Sequence, residues 1–366
     1  MPVRFALIGC GKATERLALP QLSACPEAHV TALVDIDRTA AERLAQQGGI
    51  DRRLIWSDWK RMLREAEVDA VAVCLPNVLH AEVTIAALEA GKHVMVEKPI
   101  AITLAEADAM IRAARAHRRW LMVNHPHRFE PAHEMARSIL RSELLGPITR
   151  LRGRLGHAGP EYWSDTSPWF TDPAQAGGGA LLDIGIHLID LLRWLSGKSV
   201  KRVCAHAKTL EKQVPVEDNA GVLLEWTDGT LGSFEVSWTT RPYEVTTTLY
   251  GQRGTLATSL GAEHPVAVRF CQLEGDPNKP LGDPFYPHIP ASSRFGSAYA
   301  SFAQSILGNT PPSISGEEGR ANLEVMLAAY ESIRTGGWVE LPLPLPSPVN
   351  TQRRRTSRTS HARRVA

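Results

Sequence analysis

No apolar run in these 366 residues approaches the roughly 20 positions that a helix needs to span a bilayer. The chain starts directly on a strand-like run with no leader pattern ahead of it, so no signal peptide is expected. Cysteine is scarce. Cys10, Cys25, Cys74, Cys204 and Cys271 are odd in number, widely separated and without metal-binding or redox spacing. A disulfide framework and a bound metal are therefore not expected, and a reduced cytoplasmic protein is. Internal repeats are also missing. The net charge is only +2, and six arginines fall within residues 350–366, after the proline-rich ELPLPLPSP. Without those six the remaining 349 residues carry −4. Residues 346–366 read as a disordered basic tail, and neither nucleic acid nor membrane is expected as a partner. With 43% hydrophobic and 22% charged residues, the chain has the composition of a globular protein with room for two domains.

The most informative segment is GGGALLDIGIHLIDLLRWLSG, residues 177–197. It is helical in pattern and apolar on nearly every side, and Asp183, His187 and Asp190 interrupt it at i, i+4 and i+7. That spacing sets all three on one helix face. A carboxylate and an imidazole on a helix otherwise built for burial are costly to desolvate unless paired. Both also move protons near neutral pH. The same pattern fits a helix with one thin polar stripe; Asp190 reads as a cap or salt-bridge partner.

The N-terminus carries a nucleotide-binding pattern. Val3–Ile8 is an apolar strand run that enters a glycine turn, Gly9-Cys10-Gly11-Lys12-Ala13-Thr14, followed by a helical pattern. Gly9 permits the tight bend, and Gly11 lets the backbone approach a pyrophosphate at the helix N-terminus. Thr14 stands at the third fingerprint position, so its hydroxyl needs a phosphate or backbone partner. A second strand pattern ends in Asp35, 24 residues after Gly11. A carboxylate there suits the ribose 2′-hydroxyl of NAD and repels the extra phosphate of NADP. Arg38 follows closely and is suited to stack on adenine or neutralise a phosphate. Strand patterns at 69–75, 93–98 and 120–125 alternate with helical ones at about 80–90 and 104–117. The alternation predicts a parallel sheet covered on both faces, with ligands at the carboxyl ends of its strands. Pro76, Asn77 and His80 lie at one such end, and Glu97, Lys98 and Pro99 at another.

Beyond about residue 147, strand patterns recur with little helix between them, and Asp228-Gly229 and Arg253-Gly254 mark hairpin turns. Leu231, Ser233, Glu235 and Ser237 alternate as on a sheet with one wet face. Helical patterns at about 295–307 and 317–335 close the chain. The fold class expected is α/β plus α+β: a Rossmann dinucleotide-binding domain over 1–123 and an open, mostly antiparallel sheet domain over 124–345. Association into a dimer or tetramer through the free sheet face is expected.

The motifs GCGKAT, LPNVLHAEVTIAALEAGKHVMVEKPIAIT, HRFEP, GGGALLDIGIHLIDLL and ISGEEGRANLEVMLAAYESIRTG together resemble the glucose–fructose oxidoreductase/inositol dehydrogenase (Gfo/Idh/MocA) family. The resemblance runs from near residue 3 to about 341. It implies that Lys98 bridges the nicotinamide ribose and the substrate hydroxyl, that His187 is the general acid/base, and that Asp183 is its neighbouring carboxylate, which also holds substrate hydroxyls. It implies Pro76, Asn77, His80 and Glu97 on the nicotinamide side, beside the Gly9, Gly11, Lys12, Ala13, Thr14, Asp35 and Arg38 end. Arg128 and Trp169 are expected against substrate, Arg128 at the domain junction. Trp163 and Trp169 fit either a substrate wall or interface packing. Two departures stand out: Thr14 replaces a small residue, and His125 and His127 occupy positions where the family more often has Tyr or Asn.

The chemistry agrees with that resemblance. Removing hydride from a carbinol carbon requires its hydroxyl proton to leave as well, so a base must lie within hydrogen-bond reach. A lysine ammonium stabilises the developing alkoxide, and the cofactor carries the hydride. The resemblance thus implies an NAD-dependent oxidoreductase acting on a sugar, sugar derivative or inositol. A relative using retained NAD for elimination or glycoside cleavage remains open, as does a non-catalytic NAD-binding sensor. His157, His206 and His288 show no partner pattern and are expected on loops or the surface.

Overall fold

The computed structural model describes residues 1–162, 168–272, 276–289 and 298–344. The expected tail at 346–366 and Trp163 lie outside the described residues.

Six parallel strands form the first sheet: β1 (Val3–Ile8), β2 (Ala28–Val34), β3 (Ile55–Trp56), β4 (Ala70–Val73), β5 (His93–Glu97) and β6 (Leu121–Asn124). Their order is β3-β2-β1-β4-β5-β6, so the winding direction reverses between β1 and β4. A crevice opens at the carboxyl ends there, where sheets of this type bind ligands. The strands are short apolar runs because helices cover both faces; all four residues of β4 and of β6 are buried. The covering helices are α1 (Leu19–Ser23), α2 (Arg38–Gly48), α3 (Trp59–Glu65), α4 (His80–Glu89) and α5 (Leu104–His117). A capping box sets the start of α5: Glu106 N–H donates to Thr103 Oγ1 at 3.2 Å, and Thr103 N–H donates back to the Glu106 carboxylate at 3.0 Å.

Next come α6 (Pro131–Arg141), β7 (Ile148–Gly156), α7 (Pro173–Ala176), α8 (Ala180–Asp183) and α9 (Gly185–Ser196). The strands β8 (Val200–Lys208), β9 (Asn219–Trp226), β10 (Leu231–Ser237), β11 (Glu244–Gly251), β12 (Gly254–Ser259) and β13 (Val266–Phe270) follow. After α10 (Ala298–Leu307) and α11 (Gly316–Thr335), β14 (Val339–Glu340) completes a second sheet ordered β13-β12-β11-β7-β10-β9-β8-β14. Its described pairs are antiparallel except β7 with β10, so the sheet is mixed but mostly antiparallel. Along β10, Gly232, Phe234 and Val236 are buried, while Leu231 and Glu235 face outward. Helices α9 and α11 pack over the buried side.

Two findings modify the sequence reading. The segment expected as one helix over 179–196 is broken: the backbone opens at Ile184 (φ −111°, ψ −21°), between α8 and α9. The chain also doubles back, since α10 rests against α1 and β1, with Phe302 edge-on to Phe5 at 6.3 Å.

Candidate active site

A cavity of about 720 Å³ runs along the carboxyl ends of the first sheet and under the second domain. Gly9, Gly11, Lys12 and Ala13 line one end. Gly9 has φ +95°, and a Cβ there would lie 2.1 Å from the carbonyl oxygen of Cys74 at the end of β4; only glycine lets β1 turn here. A Cβ on Gly11 would meet nothing within 4 Å. Its open side is therefore space a ligand can take, as a pyrophosphate cradle requires. Asp35 also lines the cavity and stabilises the turn: one carboxylate oxygen accepts from Cys10 N–H at 2.7 Å, the other from Asp37 N–H at 2.8 Å. Ile36, 94% exposed, and Trp59 provide apolar surface beside it.

Three expected cofactor residues are placed elsewhere. Thr14 is fully buried, and its hydroxyl donates to Gly9 O at 2.5 Å, so it finds a backbone partner. Arg38 points to solvent, where its Nε donates to Glu42 at 2.9 Å one turn along α2. His80 is buried behind the cavity wall, its ring nitrogens 2.8 Å from Pro99 O and 2.9 Å from Leu75 O. Burial pulls its titration down to about 4 against the two carbonyls, and the ring sits between the ends of β4 and β5. Pro76, Asn77 and Glu97 do line the cavity. Asn77 Nδ2 donates to Ala176 O at 2.8 Å, linking the two domains. Burial pushes the Glu97 carboxyl up, opposed by the hydrogen bond from Asn124 Nδ2 at 2.6 Å and by Lys98.

Lys98, Asp183 and His187 all line the cavity. Lys98 follows β5, and its Nζ donates to Asp183 Oδ1 at 2.7 Å and to Asp183 O at 2.9 Å. Their side chains stay open to the cavity by 17% and 15%. Burial raises the Asp183 carboxyl, but Lys98, His157 and the hydrogen bonds from Lys98 and Trp238 outweigh it, so it titrates below its ordinary value. His187 is pulled well below 6.5, chiefly by burial and then by the Lys98 charge. It is therefore a neutral imidazole at neutral pH. Its Nδ1 is buried and meets no hydrogen-bond partner among the described residues.

The polar stripe of the broken helix thus divides. Asp183 and His187 face the cavity; Asp190 is buried with Arg128, which reaches it at 2.6 and 2.8 Å. Arg128 also donates to Glu318 at 2.9 Å. This corrects the expectation that Arg128 touches substrate: its guanidinium is held at the junction by carboxylates, away from the cavity lining. Trp169 does line the cavity, stacked on Phe170 with centroids 3.9 Å apart.

Sequence reasoning missed several residues. His157 is not a surface residue: it is buried at the end of β7 and lines the cavity, its Nδ1 accepting from Gly159 N–H at 2.9 Å. His127 lies 4.9 Å from His187, ring to ring, and Tyr243 and Arg16 complete parts of the wall. The position of His157 just past a strand carried the signal. His127 carried it in the unusual HPHRFEP segment. His206 and His288 are exposed, as expected. No group of three or more His, Cys, Asp or Glu among the described residues is arranged to hold a metal.

Comparison with known proteins agrees with this architecture. Residues 3–125 match the family model described as an oxidoreductase family with an NAD-binding Rossmann fold, and residues 133–257 match the GFO/IDH/MocA C-terminal domain. A 1,5-anhydro-D-fructose reductase from Ensifer adhaerens is 32% identical over 319 residues, covering 84% of this chain and 91% of its own. A D-glucoside 3-dehydrogenase from Escherichia coli is 28% identical over 353 residues, covering 93% and 98%. The crystal structure of an aldose–aldose oxidoreductase from Caulobacter crescentus, complexed with glycerol, superposes with a TM-score of 0.81 at 28% identity, covering 93% of this chain and 100% of that one.

Proposed function

Because the chain belongs to the Gfo/Idh/MocA family of NAD-binding oxidoreductases, we propose that it moves hydride between NAD and a carbinol carbon of a sugar, sugar derivative or inositol, with His187 as the general acid/base. The observation that carries this reading is the placement of a largely buried imidazole and an ion-paired lysine in the same cavity as the glycine turn. Gly9, Gly11, Lys12 and Ala13 would hold the pyrophosphate, and Asp35 the adenosine ribose. Pro76, Asn77 and Glu97 would face the nicotinamide. The bound dinucleotide supplies the hydride acceptor.

The chain's own groups manage the proton and the charge. An uncharged His187 can take the substrate hydroxyl proton because burial favours its unprotonated form before the substrate arrives. Lys98 lies where alkoxide charge would develop, and its ammonium stabilises that charge. Asp183 keeps Lys98 in place and offers an acceptor to a second substrate hydroxyl. Trp169 and Phe170 offer a flat apolar wall for a sugar ring. NAD is favoured over NADP because Asp35 brings a negative charge to the place where the extra phosphate would lie, and because Arg38 is engaged by Glu42.

The test is a panel of sugars, glycosides and inositols with NAD or NADP, followed at the reduced-nicotinamide absorbance band, on protein first checked for retained dinucleotide. Turnover of at least one neutral sugar or cyclitol with NAD is expected. Dinucleotide binding without turnover on any of them would overturn the reading.

A further inference from the structure

The Asp183 carboxylate is held from two sides. Lys98 takes Oδ1 at 2.7 Å, and the indole Nε1–H of Trp238 donates to Oδ2 at 3.1 Å. Trp238 is fully buried, one residue beyond β10, and its own backbone N–H donates to Asp218 O at 2.7 Å. Glu217, next to Asp218, anchors the start of α8. Its Oε1 accepts from Gly179 N–H at 2.9 Å, Leu181 N–H at 3.0 Å and the Tyr330 hydroxyl at 2.7 Å, and its carbonyl accepts from Ala180 N–H at 2.8 Å. The Glu217-Asp218 dipeptide therefore fixes the main chain of the Asp183 turn directly and its carboxylate through Trp238.

We propose that Trp238 is a positioning residue for the reaction: its indole N–H sets the orientation of the Asp183 carboxylate, so that Oδ1 meets Lys98 while the group stays aligned toward substrate. The proposal rests on reading this cavity as the hydride-transfer site. A lysine cannot set that orientation alone, because its ammonium rotates three equivalent donors on a flexible stem. An indole has a single donor in the plane of a rigid ring, and this ring is clamped in the core. Hydrogen bonds to an ionised carboxylate are among the stronger ones in proteins. The other charged or titratable groups near Asp183 are Lys98 after β5, His157 after β7 and His187 on α9. Trp226 gives the contrast within the same sheet: it is equally buried, yet its Nε1 meets no partner among the described residues. Packing alone does not aim a buried indole N–H at an acceptor.

The test uses Trp238→Phe, which keeps an aromatic ring in the core, with Trp226→Phe as the control. Trp238→Phe should lose about tenfold or more in kcat, the order expected when a charged group loses one hydrogen bond, with NAD affinity by calorimetry unchanged. Trp226→Phe should keep its kcat. In tryptophan-15N-labelled whole protein, Asp183→Asn should move the Trp238 indole resonance and leave that of Trp226 in place. A folded Trp238→Phe enzyme with full kcat would overturn the proposal. So would a Trp238 indole resonance indifferent to Asp183→Asn. Failure of the functional reading looks different: the unmutated protein would oxidise no sugar, while the indole resonance would still report whether the bond exists.

Discussion

Lys98 and Asp183 are ion-paired within the cavity, and His187, the proposed proton acceptor, lines it together with His127 and His157. Its imidazole and its spacing from Asp183 were legible in the sequence. Its neutral state was not, because that depends on burial and on Lys98, brought in from 89 residues earlier in the chain. The same limit explains His157 and Arg128. A histidine after a strand and an arginine in a short motif look alike until packing shows which one faces the cavity and which is held by Asp190 and Glu318. Asp35 was legible as a strand-end carboxylate, though its second task of accepting two turn N–H groups was not. Asp35→Ala should narrow the preference for NAD over NADP several-fold by removing charge repulsion. Steady-state kcat/KM with both cofactors checks this; an unchanged ratio would take Asp35 out of cofactor selection.

At the level of elements, period and punctuation carried most of the information. The apolar runs of the parallel strands, helix α5 and the hairpin turns fall where the sequence placed them. The short strands β3, β13 and β14 were not read, since their partners are set by tertiary pairing rather than local pattern; helix α6 was not read either, although Pro131 stands in its first turn. The break at Ile184 was hidden for a related reason: Glu217, distant in sequence, pins the start of α8. Two glycines separate cofactor binding from folding. Gly11→Val should abolish NAD binding in calorimetry while the melting temperature holds, because its side chain enters only the open cavity. Gly179→Ala should do the reverse, because its Cβ would lie 2.1 Å from Glu217 O. A loss of about 1–3 kcal/mol is expected from such crowding, with lower kcat as the Asp183 turn shifts. A Gly179→Ala protein as stable and active as the unmutated one would contradict this account of the triple glycine.

Across the whole molecule, a buried polar cluster joins the turn after β6 to α9 and α11. Arg128 binds Asp190 and Glu318, and Asn322 donates to Asp190 at 2.7 Å. Removing one partner of a buried ion pair leaves the other uncompensated, so Arg128→Met should cost about 3–5 kcal/mol by denaturant melts. The pair also makes stability pH-dependent. Burial raises the Asp190 carboxyl, but Arg128, His125 and the hydrogen bonds from Arg128 and Asn322 bring it down to about 2 from an ordinary 3.8. A carboxyl depressed on folding adds stability above its unfolded value and loses it as pH falls toward the folded one. Unmutated protein should therefore weaken as pH drops from near 4 toward 2, and Arg128→Met should show less of that dependence. A flat stability profile in the unmutated protein over that window would contradict the assignment. The junction matters because Lys98 comes from one domain and Asp183 and His187 from the other. The most direct test of the central claim, that His187 moves the substrate proton, is His187→Ala on the best sugar or polyol, with kcat read by absorbance and NAD affinity by calorimetry. A kcat lower by roughly 10²- to 10⁴-fold is expected, with NAD affinity nearly unchanged; a variant that keeps most of its kcat would remove His187 from the proton transfer.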